Sequence, residues 1–322
     1  MKKNKGKIGL GLALGALGAA AAGVAYMAVR ILGDVAIKRD VMPLPKGIQN
    51  KLSGGFTEDP NLAEARRAGE DARKLETETV SIVTDDGLTL TGHFRPNEST
   101  KRVVIAMHGW RSSWENDYGA SCEFYHNCGC ATLYPDQRCT GASDGEYIGF
   151  GVLERHDCLA WIKYICDRFG PDMPVYLVGI SMGATTVLMT LGFPLPANIK
   201  GVIADCGFTS PKAIWSHVIN ENMGISDKLS YPILNYICNK KAQYDGDEYS
   251  TVTALSENVI PVLFVHGGAD KFVPISMTFE NYEACKGERE IFVVPGAGHG
   301  MSYLVDTEGY HRKVKKFFQK HD

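Results

Sequence analysis

The stretch "VYLVGISMGA", residues 175–184, joins an apolar run of strand type to a Gly-x-Ser-x-Gly turn. The five-residue pattern alone is weak evidence, because chance supplies it in many glycine-rich chains, so its surroundings decide. Here Ser181 follows the apolar run directly and a helical pattern begins after it. Flanking glycines permit the tight turn that exposes a serine hydroxyl at the carboxyl edge of a parallel sheet. The stretch therefore predicts an α/β fold with Ser181 as a candidate nucleophile.

Strand and helix patterns alternate on both sides of this stretch. A hairpin pattern around Asp86-Gly87 comes first, and short continuous apolar runs such as "RVVIAMHG" and "IPVLFVHG" follow, separated by helical patterns. Continuous apolar runs are typical of strands buried on both faces. The order predicts a mostly parallel, doubly wound sheet with flanking helices. Residues 207–257 exceed what one crossover helix needs and predict a small helical lid.

The N-terminus differs in composition from the rest. Lysines at positions 2, 3, 5 and 7 precede an uncharged run from Ile8 to Val29. A helix of that length, at about 1.5 Å per residue, matches a hydrocarbon core of about 30 Å. Residues 1–33 are therefore predicted as a membrane anchor or signal segment, 34–76 as a juxtamembrane linker with a short helix starting at Asp59-Pro60, and 77–322 as the catalytic domain.

The charges around the apolar run predict its orientation. Lysines before it and mixed charges after it favour a single-pass anchor with a cytoplasmic N-terminus and the catalytic domain outside. Secretion after cleavage stays open, because Ala19–Ala22 offers small-residue cleavage sites. The nine cysteines favour a reducing compartment instead, and the apolar run is given the greater weight.

Whole-chain composition excludes some classes of function. The formal net charge of −3 gives no electrostatic case for nucleic acid. No CxxC pair occurs, so a structural zinc site has little support, and neither a metal nor an organic cofactor is predicted. The chemistry must then come from side chains.

Two residues late in the chain complete a catalytic set with Ser181. His299 lies in a glycine-rich loop after the last predicted strand, and Asp270 follows the strand before it. A histidine can take the serine proton, and a carboxylate can orient and stabilise the imidazolium. The chain order of serine, aspartate and histidine is the one expected of this hydrolase arrangement. Asp205, after another predicted strand, is the alternative acid.

Several motifs together resemble the α/β-hydrolase superfamily over about residues 77–320: "MHGW", "DQRCTGASDG", "GISMGA", "ADCGFTS", "HGGADKFVP" and "GAGH". The chain is most similar to membrane-anchored bacterial serine hydrolases of the serine aminopeptidase-like and ABHD-type groups. The resemblance implies an α/β-hydrolase fold and an oxyanion hole formed by the backbone amides of Trp110 and Met182. It also implies that Asp136 and Arg138 fix a loop.

The sequence departs from the pattern of this superfamily at Cys139, where glycine is common. A positive φ there would strain the cysteine, and Cys139 stays open as a second nucleophile.

The resemblance implies a serine hydrolase acting on a carboxylic ester or thioester, with a small-molecule or lipid-like acyl substrate. A peptidase or aminopeptidase-like hydrolase stays open, as does a hydrolase fold kept only for binding. The joint presence of nucleophile, base, acid and oxyanion loop favours the enzyme. The oligomeric state is not predicted.

Overall fold

The computed structural model describes residue 23 and residues 26–322. The predicted membrane span, Ile8–Val29, and the cleavage sites at Ala19–Ala22 lie almost wholly outside the described residues. Within the described part, no helix combines the length and the apolar character needed to cross a bilayer.

One eight-stranded sheet organises the molecule, in the order β1-β2-β4-β3-β5-β6-β7-β8. The first two strands pair antiparallel with each other, β2 pairs antiparallel with β4, and every later pairing is parallel. This confirms the predicted mostly parallel sheet and the hairpin that precedes it. The strands are β1 Glu78–Val83, β2 Thr89–Arg95, β3 Arg102–Met107, β4 Cys130–Pro135, β5 Val175–Ile180, β6 Ile199–Asp205, β7 Val262–Gly267 and β8 Arg289–Val294.

Burial along the strands explains why their sequences are continuous apolar runs. Every residue of β3, β4 and β7 is buried, because helices cover both faces of the sheet. The edge strand β1 is exposed at most positions and alternates instead. Trp161 and Leu188 pack on one face of the sheet, and Tyr125 and Phe317 pack on the other.

Helices connect the strands and extend beyond them at the N-terminus. The sequence ends the long helix at Gly170, which adopts φ 84° there. The helices are α1 at 26–37, α2 Lys46–Leu52, α3 Leu62–Ala72, α4 Trp114–Tyr118, α5 Cys122–Asn127, α6 Glu154–Phe169, α7 Met182–Thr190, α8 Pro211–His217, α9 Asp227–Ala242, α10 Thr251–Leu255, α11 Ile275–Ala284, α12 Ser302–Val305 and α13 Thr307–His321, with a 3-10 turn at Phe56–Glu58 and a π-helical turn at Val218–Asn222.

The prediction that α3 begins at Asp59-Pro60 was wrong. The helix begins at Leu62 with Asn61 as the residue before it. The Asp59 carboxylate accepts a hydrogen bond from the Asn61 backbone amide at 2.8 Å, which forms a turn ahead of the helix. Asp and Asn compete for such local turns, and this shifts the helix start by two residues.

The predicted linker and the predicted lid meet over the carboxyl edge of the sheet. A Cβ atom added to Gly33 of α1 would lie 2.9 Å from Leu234 Cδ1 of α9, so the two helices pack closely. Asp34 of α1 accepts from Lys241 of α9 at 2.5 Å and from Lys38 at 3.0 Å. Residues 34–76 therefore fold onto the domain that follows them.

Candidate active site

Ser181 occupies a strained turn between β5 and α7. Its φ of 55° and ψ of −119° lie in a region that few residues other than glycine adopt. Gly183 is required beside it, because a Cβ atom there would lie 1.9 Å from the Met107 carbonyl oxygen. A Cβ atom on Gly179 would likewise lie 2.3 Å from the Gly183 oxygen. The two glycines thus allow the turn that the sequence predicts.

His299 connects Ser181 to Asp270. Its Nε2 lies 2.9 Å from Ser181 Oγ, and its Nδ1 lies 2.7 Å from Asp270 Oδ2. The rings of Phe56 and Phe272 pack edge-on against the imidazole, with centroids 5.9 and 4.9 Å away. The structure therefore brings together the three residues that the sequence selects, in hydrogen-bonding order.

Backbone amides hold the Asp270 carboxylate in place. Its Oδ1 accepts hydrogen bonds from the amides of Phe272 at 2.8 Å and Val273 at 3.0 Å, which leaves Oδ2 for His299. The side chain is fully buried. A carboxylate fixed in this way can orient the imidazole so that Nε2 faces the serine.

Burial and charge act in opposite directions on the histidine and the aspartate. Burial by itself lowers the pKa of His299, but the charge and hydrogen bond of Asp270 outweigh it, and the pKa lies above its ordinary value of 6.5. Burial raises the pKa of Asp270, but the charge of His299 and its hydrogen bond bring that pKa below its ordinary value. The pair therefore favours an ionised carboxylate beside an imidazole that readily holds a proton.

Asp205, the alternative acid, has a different partner. Its Oδ1 accepts a hydrogen bond from Ser302 Oγ at 3.0 Å. Burial raises the pKa of Asp205 to about 7. The residue hydrogen-bonded to His299 Nδ1 is Asp270, so geometry favours Asp270 for the acid position.

Trp110 and Met182 follow β3 and Ser181 in the chain. Within the described residues, neither backbone amide donates a hydrogen bond to another protein group. The neighbouring Gly109 lies against the nucleophile, since a Cβ atom added there would be 3.3 Å from Ser181 Cβ. Its amide donates to the Asp117 carboxylate at 2.6 Å, which fixes the loop. An oxyanion hole needs two N–H groups beside the serine that donate to no other protein group, and these two backbone amides meet that need.

The loop that carries Trp110 is attached to the end of α1. Trp110 Nε1 donates to the Ala36 carbonyl at 2.8 Å. The guanidinium of Arg111 donates to the carbonyls of Val35 at 3.0 Å, Arg39 at 3.2 Å and Lys38. Arg111 itself adopts φ 51°. Sequence reasoning missed this attachment, because nothing in a local pattern pairs residues more than seventy positions apart.

A cavity of about 370 Å³ opens in front of Ser181 and His299. Its walls include Phe56 and Leu62 from the segment that the sequence predicts as linker. Apolar residues in this mixed stretch were the signal that could have indicated a role in the cavity wall. The cavity gives a substrate access to the serine.

Asp136 and Arg138 make contacts that fix the loop after β4, in agreement with their predicted role. Asp136 accepts from the Ala142 amide at 2.9 Å, and the buried Arg138 donates twice to Asp157, both at 2.6 Å. Cys139 adopts φ 69°. Burial raises the pKa of its thiol to about 11, so thiolate is scarce at neutral pH.

One group of potential metal ligands overlaps the catalytic set. Cys206, Asp270 and His299 present ligand atoms within 4.8 Å of one another. Burial raises the pKa of the Cys206 thiol well above its ordinary value. Metal binding requires a thiolate, so this donor set fits a metal poorly.

Comparison with known proteins gives one family match. A model described as the prolyl oligopeptidase family matches residues 148–321, more than half of the chain, and the matched range includes Ser181, Asp270 and His299.

One curated relative is similar in sequence, and two solved structures are similar in fold. The uncharacterized protein YqkD of Bacillus subtilis is 24% identical over 251 residues, which cover 77% of this chain and 81% of that protein. An esterase from Pyrococcus furiosus has a TM-score of 0.64 at 24% identity, covering 78% of this chain and 93% of that one. An acylaminoacyl peptidase from Pyrococcus horikoshii has a TM-score of 0.55 at 18% identity, covering 79% of this chain and 43% of that one.

Proposed function

Because the chain belongs to the prolyl oligopeptidase family and is a serine hydrolase of the α/β-hydrolase superfamily, we propose that it cleaves a carboxylic ester or thioester through Ser181, His299 and Asp270. The observation that carries this proposal is the hydrogen-bonded series from Ser181 Oγ through His299 to Asp270, with distances of 2.9 and 2.7 Å. The series ends at a cavity in which an acyl group can reach the serine.

The proposed reaction begins with acylation of the serine. Ser181 Oγ forms a bond to the acyl carbon, and its proton passes to His299 Nε2. The Asp270 carboxylate stabilises the imidazolium, in keeping with the raised pKa of His299. The amides of Trp110 and Met182 stabilise the negative carbonyl oxygen, each such donor contributing about 3 kcal/mol. His299 then gives its proton to the departing alcohol or thiol as the acyl–oxygen or acyl–sulfur bond breaks.

Water completes the cycle at the same residues. His299 takes a proton from a water molecule, whose oxygen attacks the acyl carbon of the acyl-enzyme. The bond to Ser181 Oγ breaks, the serine regains a proton from His299, and the carboxylic acid leaves.

The charges in the cavity favour an ester over an aminopeptidase substrate. An aminopeptidase needs an unengaged carboxylate to bind the substrate ammonium group. Among the described residues that line the cavity, the acidic ones are Asp117 and Asp205. Asp117 accepts from the Gly109 amide and the Ser112 hydroxyl, and Asp205 accepts from Ser302 and has a pKa of about 7. Both carboxylates therefore already bind protein groups, and the described cavity lining adds no third acidic side chain for an ammonium group.

Peptide-bond hydrolysis is the second candidate, and family membership is the observation that favours it. The two candidates separate on matched substrates that share an acyl group: p-nitrophenyl esters, thioesters and p-nitroanilides. We expect turnover of esters and thioesters to exceed that of anilides. Turnover of an acylaminoacyl anilide above that of the ester would establish the peptidase instead.

Active-site labelling tests whether the chain is catalytic. We expect the full-length protein in detergent to gain one adduct from a fluorophosphonate probe, measured by intact mass. Ser181→Ala should lose the adduct. Ser99→Ala, at an exposed serine in the loop between β2 and β3, should keep it. A folded wild type without any adduct would favour a binding module over an enzyme.

The proposal includes a membrane anchor in residues 1–33, with the catalytic domain outside and secretion after cleavage as the alternative. The lysines before the uncharged run Ile8–Val29 support it. Membrane fractionation of cells, followed by protease treatment of intact cells or spheroplasts, tests it. A domain that is protected until the membrane is lysed would contradict the proposed orientation.

A further inference from the structure

A second, smaller cavity lies behind the wall of the first. It has a volume of about 70 Å³, and twelve side chains line it, each of them aliphatic or aromatic. They come from the N-terminal helices α1 and α2, from the insertion with Ile219 and Leu234, and from the loops after β3, β4 and β7. An apolar cavity of this kind holds water poorly and binds apolar groups.

Two residues separate the small cavity from the catalytic one and line both of them: Trp110 and Phe272. Phe272 packs edge-on against the His299 ring at 4.9 Å. Trp110 carries one of the two proposed oxyanion amides. The small cavity therefore adjoins the catalytic cavity at Trp110 and Phe272, beside the proposed oxyanion amide and the His299 ring.

From this adjacency we propose that the small cavity, which we term the acyl pocket, binds the straight hydrocarbon chain of the substrate's acyl group. The inference rests on the proposed ester or thioester hydrolysis. The lining side chains offer no hydroxyl, amide or charged group, and their polar atoms are the indole nitrogens of Trp110, which is bonded to Ala36, and of Trp215. A polar acyl group would therefore lose most of its hydrogen bonds to water. A hydrocarbon chain has no hydrogen bonds to lose, and the burial of its apolar surface is favourable.

The position of α1 explains how the pocket is closed. Leu32, Val35 and Ala36 form its outer wall, and α1 is held to the insertion by the pair of Asp34 with Lys241 at 2.5 Å. The residues directly after the predicted membrane segment are thus the same ones that cover the acyl chain.

The test is a chain-length series of p-nitrophenyl esters from acetyl through butyryl and hexanoyl to decanoyl, with full-length protein. We expect kcat/KM of the wild type to rise along the series by up to about fourfold per methylene until the pocket is filled, since each buried CH₂ contributes about 0.8 kcal/mol. Ala36→Leu fills the pocket from its outer wall and should lower the hexanoyl-to-acetyl ratio of kcat/KM about tenfold. The matched control is Ala28→Leu, at an exposed position of the same helix, which should keep the wild-type ratio.

A second variant provides a test that does not depend on the folding of Ala36→Leu. Leu32→Ala enlarges the pocket, so its optimum should move to a longer chain. Equal kcat/KM for all chain lengths in the wild type, or unchanged ratios in both Ala36→Leu and Leu32→Ala, would overturn the acyl pocket. Fluorophosphonate labelling of Ser181 in the same preparations separates the two proposals, because a labelled enzyme without chain preference leaves the hydrolase intact and removes only the pocket.

Discussion

The guanidinium of Arg111 donates a hydrogen bond of 3.0 Å to the Val35 carbonyl, and so joins the loop that carries Trp110 to the end of α1. The same side chain also donates to the carbonyls of Lys38 and Arg39, and it stacks over the Trp110 ring at 5.4 Å. The final carbonyls of a helix have no partner within the helix, and a cation there is favourable. We therefore expect Arg111, which also lines the cavity, to act on catalysis through the position of Trp110.

Arg111→Ala should lower kcat about tenfold or more, with a smaller change in KM. The Trp110 amide would lose its fixed position, and small displacements of catalytic groups are costly to rate. Steady-state kinetics on a short ester measures the split between kcat and KM, and thermal unfolding checks the fold. Arg67→Ala, at an exposed arginine of α3, is the control. An unchanged kcat in folded Arg111→Ala would contradict the positioning role.

Asp270→Asn should slow hydrolysis by about four orders of magnitude, because an amide favours the wrong tautomer of the histidine. It should also shift the pH profile. Burial lowers the pKa of His299 and Asp270 raises it above 6.5, so removing the charge leaves the effect of burial. Because the base must be neutral, the acidic limb of kcat/KM should lie above pH 6.5 in the wild type and move to lower pH in the variant. Asp172→Asn, at an exposed aspartate, should leave the profile unchanged, whereas an unshifted limb in Asp270→Asn would argue against the pairing.

The parts of the molecule that the sequence predicts are those with a local signature. Buried parallel strands appear as continuous apolar runs, and residues directly after such strands share one sheet edge, so the grouping of Ser181, Asp270 and His299 follows from their positions in the chain. Their roles in catalysis remain predictions until labelling is done.

Contacts between distant segments have no such signature. The attachment of Arg111 to residues 35–39, the cavity wall at Phe56 and the acyl pocket all depend on how the N-terminal segment folds back. A polar, proline-containing stretch predicts a linker, because local composition does not report tertiary packing. The predicted start of α3 was wrong for a local reason, because Asp59 forms a turn with Asn61 ahead of the helix.

Asp205→Asn should flatten the dependence of thermal stability on pH. The carboxyl ionises at an ordinary pKa of 3.8 when unfolded, and burial raises its pKa to about 7 in the fold. The folded state therefore holds a proton that the unfolded chain releases, and the stability present below pH 3.8 is lost as pH rises through about 7. The asparagine side chain does not ionise in this pH range, so the variant lacks this loss of stability. Tm of both proteins at about pH 5 and about pH 8 measures the difference, and an equal fall in Tm would contradict ionisation of Asp205 in that range.

Cys139→Gly should retain more stability than Cys139→Ala, the reverse of the usual order at a buried site. The residue adopts φ 69°, where a Cβ atom costs about 1–2 kcal/mol and glycine is free of that cost. Alanine loses the sulfur contacts and keeps the strain, whereas glycine loses the contacts and relieves it. Free energies of unfolding from urea titration give the order, and a less stable glycine variant would show that packing outweighs backbone strain. Fluorophosphonate labelling of both variants should persist, because burial raises the pKa of the Cys139 thiol to about 11 and little thiolate is present at neutral pH. Loss of the adduct in both folded variants would support Cys139 as a catalytic residue.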